Sequence, residues 1–335
     1  MKAMSKTYFV TLTPYQLYFF GREQEEVADY YLKGNPLPQQ TALLGMVRYQ
    51  ILKQNDLLKN NKVKDAKEAK DWIGEKSFQY TDKNMDFGKI MSLSSCYIVK
   101  TDCDDSKKYL PTYPEFFHKL KRIGDNYFLP CYNPKKDYAL RWRNIKDQND
   151  ILEDNFYEEV ERVGINKNYE GKTEEDGFYK QVWFKMKKRY AFGFYLTLSD
   201  ESVTFHDADV NLGKENAVFR MNVMEDTLPE ESHNNADNAF VLTCDAFIEY
   251  SILDKCLFAA CDNVPFRNLC NKTDLTHNHY GLHKNNKRIQ LIKRGSAFYL
   301  DDTNKVNSFI QALNDEKNFK KIGYNSFQTF KINIL

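Results

Sequence analysis

The chain has 335 residues, 42 % of them apolar, enough for two domains of ordinary size or one large one. Its 48 Lys and Arg against 47 Asp and Glu leave a net charge of +1, which excludes the strong basic excess of a free-standing nucleic-acid binder. No run nears the ~20 apolar residues of a membrane-spanning helix, no apolar export segment follows the N-terminus, and seven cysteines without a CxxC pair predict reduced thiols in a cytoplasmic protein with no membrane partner.

Tyr8 to Leu12 alternates aromatic and β-branched residues and predicts a strand that Thr13-Pro14 breaks. After Phe19-Phe20-Gly21 and a polar loop, prolines 36 and 38 stiffen the entry to a helix over Ala42–Lys53. Leu43, Met46, Val47, Gln50 and Ile51 are spaced helically there, with Thr41 as N-cap. Residues 59–70 predict an exposed helix or loop, 90–100 a strand, 114–123 a short helix, and 130–150 a polar excursion. An acidic stretch over 151–163 leads to Gly164-Ile165-Asn166, where a hairpin opens. Its tip runs from Lys167 to Gly177, and Phe178–Lys187 is the returning strand. Further strands are expected at 192–198, 240–243, 289–292 and 297–300, a helix at 306–313, and a last strand after Gly323-Tyr324-Asn325. The few helices among many strands lack a regular βαβα rhythm. The fold class is therefore α+β, with two split βαβ, ferredoxin-like units over residues 1–198 and 199–335.

Several residues point to RNA. Thr41 opens a helix whose free N–H groups attract phosphate, and Arg48, seven residues on, lies near the same face. Lys167, Asn168, Tyr169 and Lys172 combine cations with a ring in the hairpin tip, although Glu170, Glu174, Glu175 and Asp176 offset their charge. Three basic clusters stand out: Lys185, Lys187, Lys188 and Arg189; Lys284, Lys287, Arg288, Lys293 and Arg294; and Lys135, Lys136, Arg141 and Arg143 around Tyr138 and Trp142. Solvated surface explains each feature as well, and codon usage in a low-GC genome explains the 22 Tyr and 24 Phe. Two enzyme readings compete. His277, His279 and His283 with Cys256, Cys261 and Cys270 are candidate zinc ligands, at a spacing no standard finger uses. His118, His206 and His233 are candidate bases for a metal-independent ribonuclease, but no second catalytic group is paired with them.

Leu12-Thr13-Pro14, Phe19-Phe20-Gly21 and Pro38-Gln39-Gln40-Thr41-Ala42-Leu43-Leu44-Gly45-Met46-Val47-Arg48 resemble the N-terminus of RAMP-superfamily CRISPR proteins. More narrowly they look like the third-subunit family of the Cmr (type III-B) effector complex. Val163-Gly164-Ile165-Asn166 and Thr173 to Tyr179 resemble a second family segment, with Lys167 where that family commonly has Arg. Asn211 to Phe219, including Gly213, Lys214 and Asn216, resembles a family glycine-rich loop with one glycine left. Lys293-Arg294-Gly295-Ser296-Ala297-Phe298-Tyr299 and Gly323-Tyr324-Asn325 resemble its C-terminal strand and turn.

The resemblance implies a non-catalytic subunit of two RRM-like folds. It implies binding of the 5′ tag of a guide RNA and docking of a large polymerase-like subunit onto a backbone of RAMP subunits. Carried onto this sequence, the RNA contacts fall on Gln39, Gln40, Thr41, Gly45, Arg48, Asn166, Lys167, Lys172, Gly213, Lys214, Asn216, Lys293, Arg294, Gly295, Ser296 and Tyr324. No cofactor or metal is expected. The alternative within the superfamily is an endoribonuclease that processes repeat RNA.

Overall fold

The computed structural model describes residues 5–332 apart from 22, 24–30, 75–76, 83, 102–105, 114–116, 118, 131, 134, 137–139, 153–154, 230–236, 249, 268, 272–281, 285–286 and 302. At 166, 174–176, 250–252, 269–271, 282–284 and 303–304 it describes the backbone alone. The main elements begin with β1 (Lys6–Pro14), β2 (Tyr31–Lys33), α1 (Gln40–Gln54), α2 (Ala66–Ile73), β3 (Ile90–Leu93), β4 (Tyr97–Lys100), β5 (Lys107–Thr112) and β6 (Arg141–Asn144). Next come β7 (Tyr157–Lys167), β8 (Thr173–Met186), β9 (Tyr190–Leu198), β10 (Ala208–Asn211) and β11 (Val218–Glu225). The chain ends with β12 (Ala239–Leu242), β13 (Phe258–Ala260), β14 (Ala297–Tyr299), α3 (Thr303–Asp315), α4 (Lys317–Lys321) and β15 (Phe327–Phe330).

An eight-stranded sheet has the order β6-β5-β4-β9-β1-β11-β10, with β3 also on β9. β1 is central and buried on both faces, which is why its sequence is apolar without strict alternation. Tyr8, Val10 and Leu12 share one core with Leu43, Val47 and Ile51 of α1. Phe9 packs on the other face with Tyr97 and Tyr195. Each fully buried aliphatic side chain on α1 stabilises this layer by roughly 1.5–3 kcal/mol. Both neighbours of β1 are antiparallel to it, and β4 is antiparallel to β9. β4 therefore runs parallel to β1 with β9 between them, a split βαβ arrangement closed by α1.

The second sheet has the order β13-β14-β12-β15, again antiparallel throughout. Its strands follow the same second–third–first–fourth sequence. Here a short 3-10 turn over Tyr250–Lys255 occupies the first crossover, and α3 and α4 occupy the second. Phe240, Phe298, Phe309 and Leu313 form the core between that sheet and α3.

Some boundaries differ from expectation. β10 and β11, which lie past the expected division at 198/199, belong to the first sheet. Tyr113, Phe117, Leu120 and Leu129 pack instead on the second sheet, where the Tyr299 hydroxyl donates to Phe117 O at 2.6 Å. The expected helix over 114–123 is not continuous: Lys121–Ile123 pairs with Asn126–Phe128 across a turn at Gly124. The polar excursion at 130–150 contains β6, whose Trp142 is core. Residues 59–70 form a small ribbon (58–59 with 62–63) and the start of α2. Asp65 caps that helix by accepting from Lys67 N and Glu68 N. No helix among the described residues is long and apolar enough to cross a membrane.

Candidate nucleic-acid interface

The first group of expected contacts meets where α1 abuts the second sheet. α1 begins two residues before the predicted position, so Thr41 is not its N-cap. Gln39 is, in an extended conformation and without a side-chain cap. Gln40 holds the helix start instead. Its Nε2 donates to Ser94 O at 2.7 Å and to Ile322 O at 2.8 Å, and the side chain is 1 % exposed. Gly323 (φ +90°) passes so close that a Cβ there would overlap Gln40 and the backbone at Ser94. Tyr324 is buried beside Thr41, and burial raises its hydroxyl pKa.

Arg294 lies in the same junction and is 7 % exposed. Its Nε and Nη2 donate to Asp245 at 3.0 and 2.9 Å, and its backbone N–H donates to the same carboxylate. Burial opposes both charges, but their mutual attraction outweighs it: the Asp245 pKa is lowered and that of Arg294 raised. Arg294 is thus a paired strut, not a free phosphate contact. Ser296 is buried and Lys293 pairs with Asp262 at 3.0 Å. Gly295 fills the turn between Arg294 and Ser296 with φ +84°. Arg48 is also turned inward, 5.7 Å from the Phe87 ring, and burial lowers its pKa to about 10. Gly45, one turn past Thr41, is exposed with open space around it.

The second group surrounds the root and tip of a long hairpin. β7 and β8 pair from Tyr157↔Met186 to Ile165↔Phe178, then shift register to Lys167↔Thr173 past Asn166. The ribbon begins at Tyr157, inside the stretch read as merely acidic, and its turn is shorter than expected. Asn168 organises that turn by accepting from Glu170 N and Lys172 N at 3.0 and 2.9 Å. Lys167 is exposed, Lys172 pairs with Glu170 at 3.2 Å, and Tyr169 at the apex is 97 % exposed.

At the hairpin's root, Phe19 packs on Trp183 of β8. The Gly213–Asn216 turn rests on the other side of Phe19. Lys214 N donates to Phe19 O at 2.9 Å, and Lys214 Nζ lies 5.6 Å from the Phe19 ring. Gly213 (φ +90°) is required there, because a Cβ would sit 2.7 Å from Phe19 O. Glu215 and Asn216 are both exposed in left-handed conformations. Trp183 of β8 and the turn at 213–216 thus meet around Phe19, which belongs to the Phe19-Phe20-Gly21 motif but was not among the expected RNA contacts.

The other basic clusters separate. Lys185, Lys188 and Arg189 are exposed at the turn between β8 and β9. Arg143 is buried, its guanidinium 4.5 Å from the Tyr113 ring and donating to the Tyr113 hydroxyl at 2.6 Å. With Trp142 also in the core, the 135–143 cluster is not a stacking surface; Tyr138 lies outside the described residues.

The candidate zinc set is largely outside them as well, including His277 and His279. The backbones of Cys270 and His283 are in register across a short ribbon. Cys256 and Cys261 are half-buried against the second core, and burial raises the Cys256 pKa to about 12. Among the described residues no three His, Cys, Asp or Glu side chains gather as metal ligands. His118 and His233 lie outside the described residues. His206 is exposed, and its backbone N–H and C=O pair with the Gln54 side chain.

Among curated proteins, none matches the sequence. Over 95 % of both chains, the fold matches a subunit from the cryo-EM structure of the Type III-B Cmr-beta bound to cognate target RNA and AMPPnP, with 14 % identity and a TM-score of 0.54. A chain from the Type III-B Cmr-beta bound to cognate target RNA matches with 13 % identity and a TM-score of 0.52, over 97 % of this chain and 99 % of that one. At these identities the likeness is one of fold. The sequence family described as CRISPR-associated protein (Cas_Cmr3) matches residues 118–331, well over half of the chain and including the hairpin, the Gly213 turn and the Arg294–Ser296 strand. This protein therefore belongs to the Cas_Cmr3 family of CRISPR-associated proteins.

Proposed function

We propose that the protein is a non-catalytic, guide-RNA-binding subunit of a type III-B CRISPR effector complex, the third subunit of a Cmr assembly within the RAMP superfamily. In this reading the two antiparallel sheets are ferredoxin-like units that hold the 5′ tag of the guide. The chain docks a large polymerase-like subunit onto the backbone RAMP subunits in the cytoplasm.

The observation that carries the reading is the β7–β8 hairpin. Among the described residues no strand flanks it beyond Lys180, and it ends in an exposed Lys167 and a nearly fully exposed Tyr169. A projecting cation and ring suit a single strand, whose phosphates and base faces they engage without reading sequence. The Gly213–Asn216 turn adds Lys214 and left-handed backbone at the hairpin's root. Gly45 leaves α1 open to close approach. Gln40, Arg48, Arg294 and Tyr324 act from behind, fixing the elements that present these groups. Family membership supports the reading, as does the fold shared with chains from Cmr-beta particles bound to cognate target RNA.

Incubating the purified protein, alone and with its co-expressed complex partners, with labelled repeat-derived RNA tests this. Retention without cleavage is expected, weakened by Tyr169→Ala and Lys167→Ala. Specific cleavage of the repeat would replace the reading with the ribonuclease one. Undiminished retention by both variants would move the RNA away from the hairpin.

A further inference from the structure

We propose that the outer edge of β7 is a self-complementary interface, through which two copies of this chain join as antiparallel strands about a two-fold axis at Gly164. β7 is the end strand of its sheet, 11 residues long, and among the described residues no strand pairs with its outer side. Such an edge presents a row of backbone donors and acceptors that another strand can satisfy.

The side chains beside that edge are apolar and bare. Val163 is 73 % exposed, Ile165 44 % and Phe178 60 %, and Ile165 sits directly opposite Phe178. Alternation puts all three on one face of the ribbon. The other face is covered by its own residues: the Arg162 guanidinium lies 4.6 Å from the Trp183 ring, and Tyr179 lies over Gly164. One face of the hairpin is therefore finished and the other is not. Phe178 alone of the three has a ring; Val163 and Ile165 beside the edge can neither stack on a base nor bind a phosphate, so the edge itself favours protein over RNA.

The sequence along β7 selects both the occupant and its direction. Its first half is acidic, with Glu158, Glu159 and Glu161, and its end carries Lys167. Parallel pairing of two copies would set glutamate against glutamate. Antiparallel pairing about Gly164 sets Val163 against Ile165 of the second copy and Glu161 against Lys167 of the second copy, twice over. The register irregularity after Ile165 takes its extra residues from β8, so β7 keeps its alternation as far as Lys167. Glu161 is more than half exposed in its ion pair with Lys180, and Lys167 has no carboxylate partner among the described residues. Across the joined ribbons, Phe178, Ile165 and Val163 of the second copy form one apolar row, and the two-fold axis repeats it. With no larger surface involved, the dimer is small and its association weak.

The inference does not depend on the RNA reading. If the hairpin also carries RNA, the dimer is a form of the unassembled subunit that RNA displaces. Sedimentation equilibrium of the purified full chain, across two decades of concentration, tests the proposal. The weight-average mass should rise from one chain toward two. Ile165→Asp, Glu161→Lys and Lys167→Glu should each weaken association by about tenfold or more, while thermal unfolding stays close to wild type. The double reversal Glu161→Lys/Lys167→Glu should restore the dimer, because the pairs reform with opposite sign. A wild-type chain monomeric at every concentration would overturn the proposal, as would a dimer indifferent to Ile165→Asp or a double reversal that fails to restore association. A monomer whose Ile165→Asp form also loses RNA retention would give this face to RNA instead.

Discussion

Arg294 and Asp245 show how one pair of charges changes its meaning once it is buried. In the sequence Arg294 belongs to a basic run beside a glycine and a serine, the kind of segment that reads phosphates. In the fold, three hydrogen bonds bind it to one carboxylate. Removing either partner strands the other charge in the interior, at a cost of about 3–5 kcal/mol. Asp245→Ala is therefore expected to lower unfolding free energy in urea by that order. The pair also sets a pH dependence. The folded Asp245 pKa lies below its unfolded value, so its contribution is fully present above the ordinary carboxylate range. It is lost as pH falls through the depressed folded value. Asp200, lowered to about 2 mainly by Lys89, adds to the same acid limb. Denaturation profiles from pH 6 downward should show stability falling below about pH 4, with a shallower fall in Asp245→Asn. Arg48 makes a related point. Its stem and guanidinium cover Phe87, so Arg48→Ala should lower the melting temperature as well as any RNA retention.

At the scale of elements, α1 and the hairpin behave in opposite ways. α1 lacks a serine, threonine or aspartate cap, and its start is fixed by tertiary contacts from Gln40. Gln40→Ala leaves one buried and one part-buried carbonyl without that donor, and should cost about 1–3 kcal/mol. Faster hydrogen exchange over residues 318–325 would mark the loosened junction. The hairpin tip is the reverse case, because Tyr169 touches almost nothing in the chain. Tyr169→Ala should leave thermal stability unchanged while weakening single-stranded RNA binding by about 1–3 kcal/mol, the usual value of a base–aromatic stack. Equal losses of stability and binding would show that Tyr169 supports the turn rather than the ligand. The length of β7 was only half legible, because Glu158, Glu159 and Glu161 mask a strand whose partner lies across the ribbon.

The whole molecule is nearly neutral, with 48 basic against 47 acidic residues. Much of the basic charge is locally paired, as in Lys89–Asp200, Lys107–Asp150, Lys108–Asp226 and Arg294–Asp245. Exposed cations at the hairpin, at the Gly213 turn and between β8 and β9 provide only a local field. If the chain holds RNA as proposed, the affinity of the isolated chain should therefore be modest and salt-sensitive. Lys167→Ala should reduce the slope of log affinity against log salt by about one, the signature of one lost phosphate contact. An unchanged slope would place Lys167 away from the RNA.

Local chemistry in the sequence determined a good deal by itself. The apolar spacing after Pro38 specified a helix, the run of aromatic and β-branched residues at 8–12 specified a strand, and the ordered motifs pointed to the family whose match covers 118–331. Prolines, glycines and hydrophobic period act within a few residues, so they can be read without the fold. Only tertiary structure decided which of the marked side chains face outward. Arg48, Arg143, Arg294 and Trp142 turned into the interior because partners on other elements supplied rings and a carboxylate. Lys167 and Tyr169 stayed outside because, among the described residues, no strand flanks the end of the ribbon that carries them. Burial depends on what the rest of the chain brings to a position, and that information lies in no single segment.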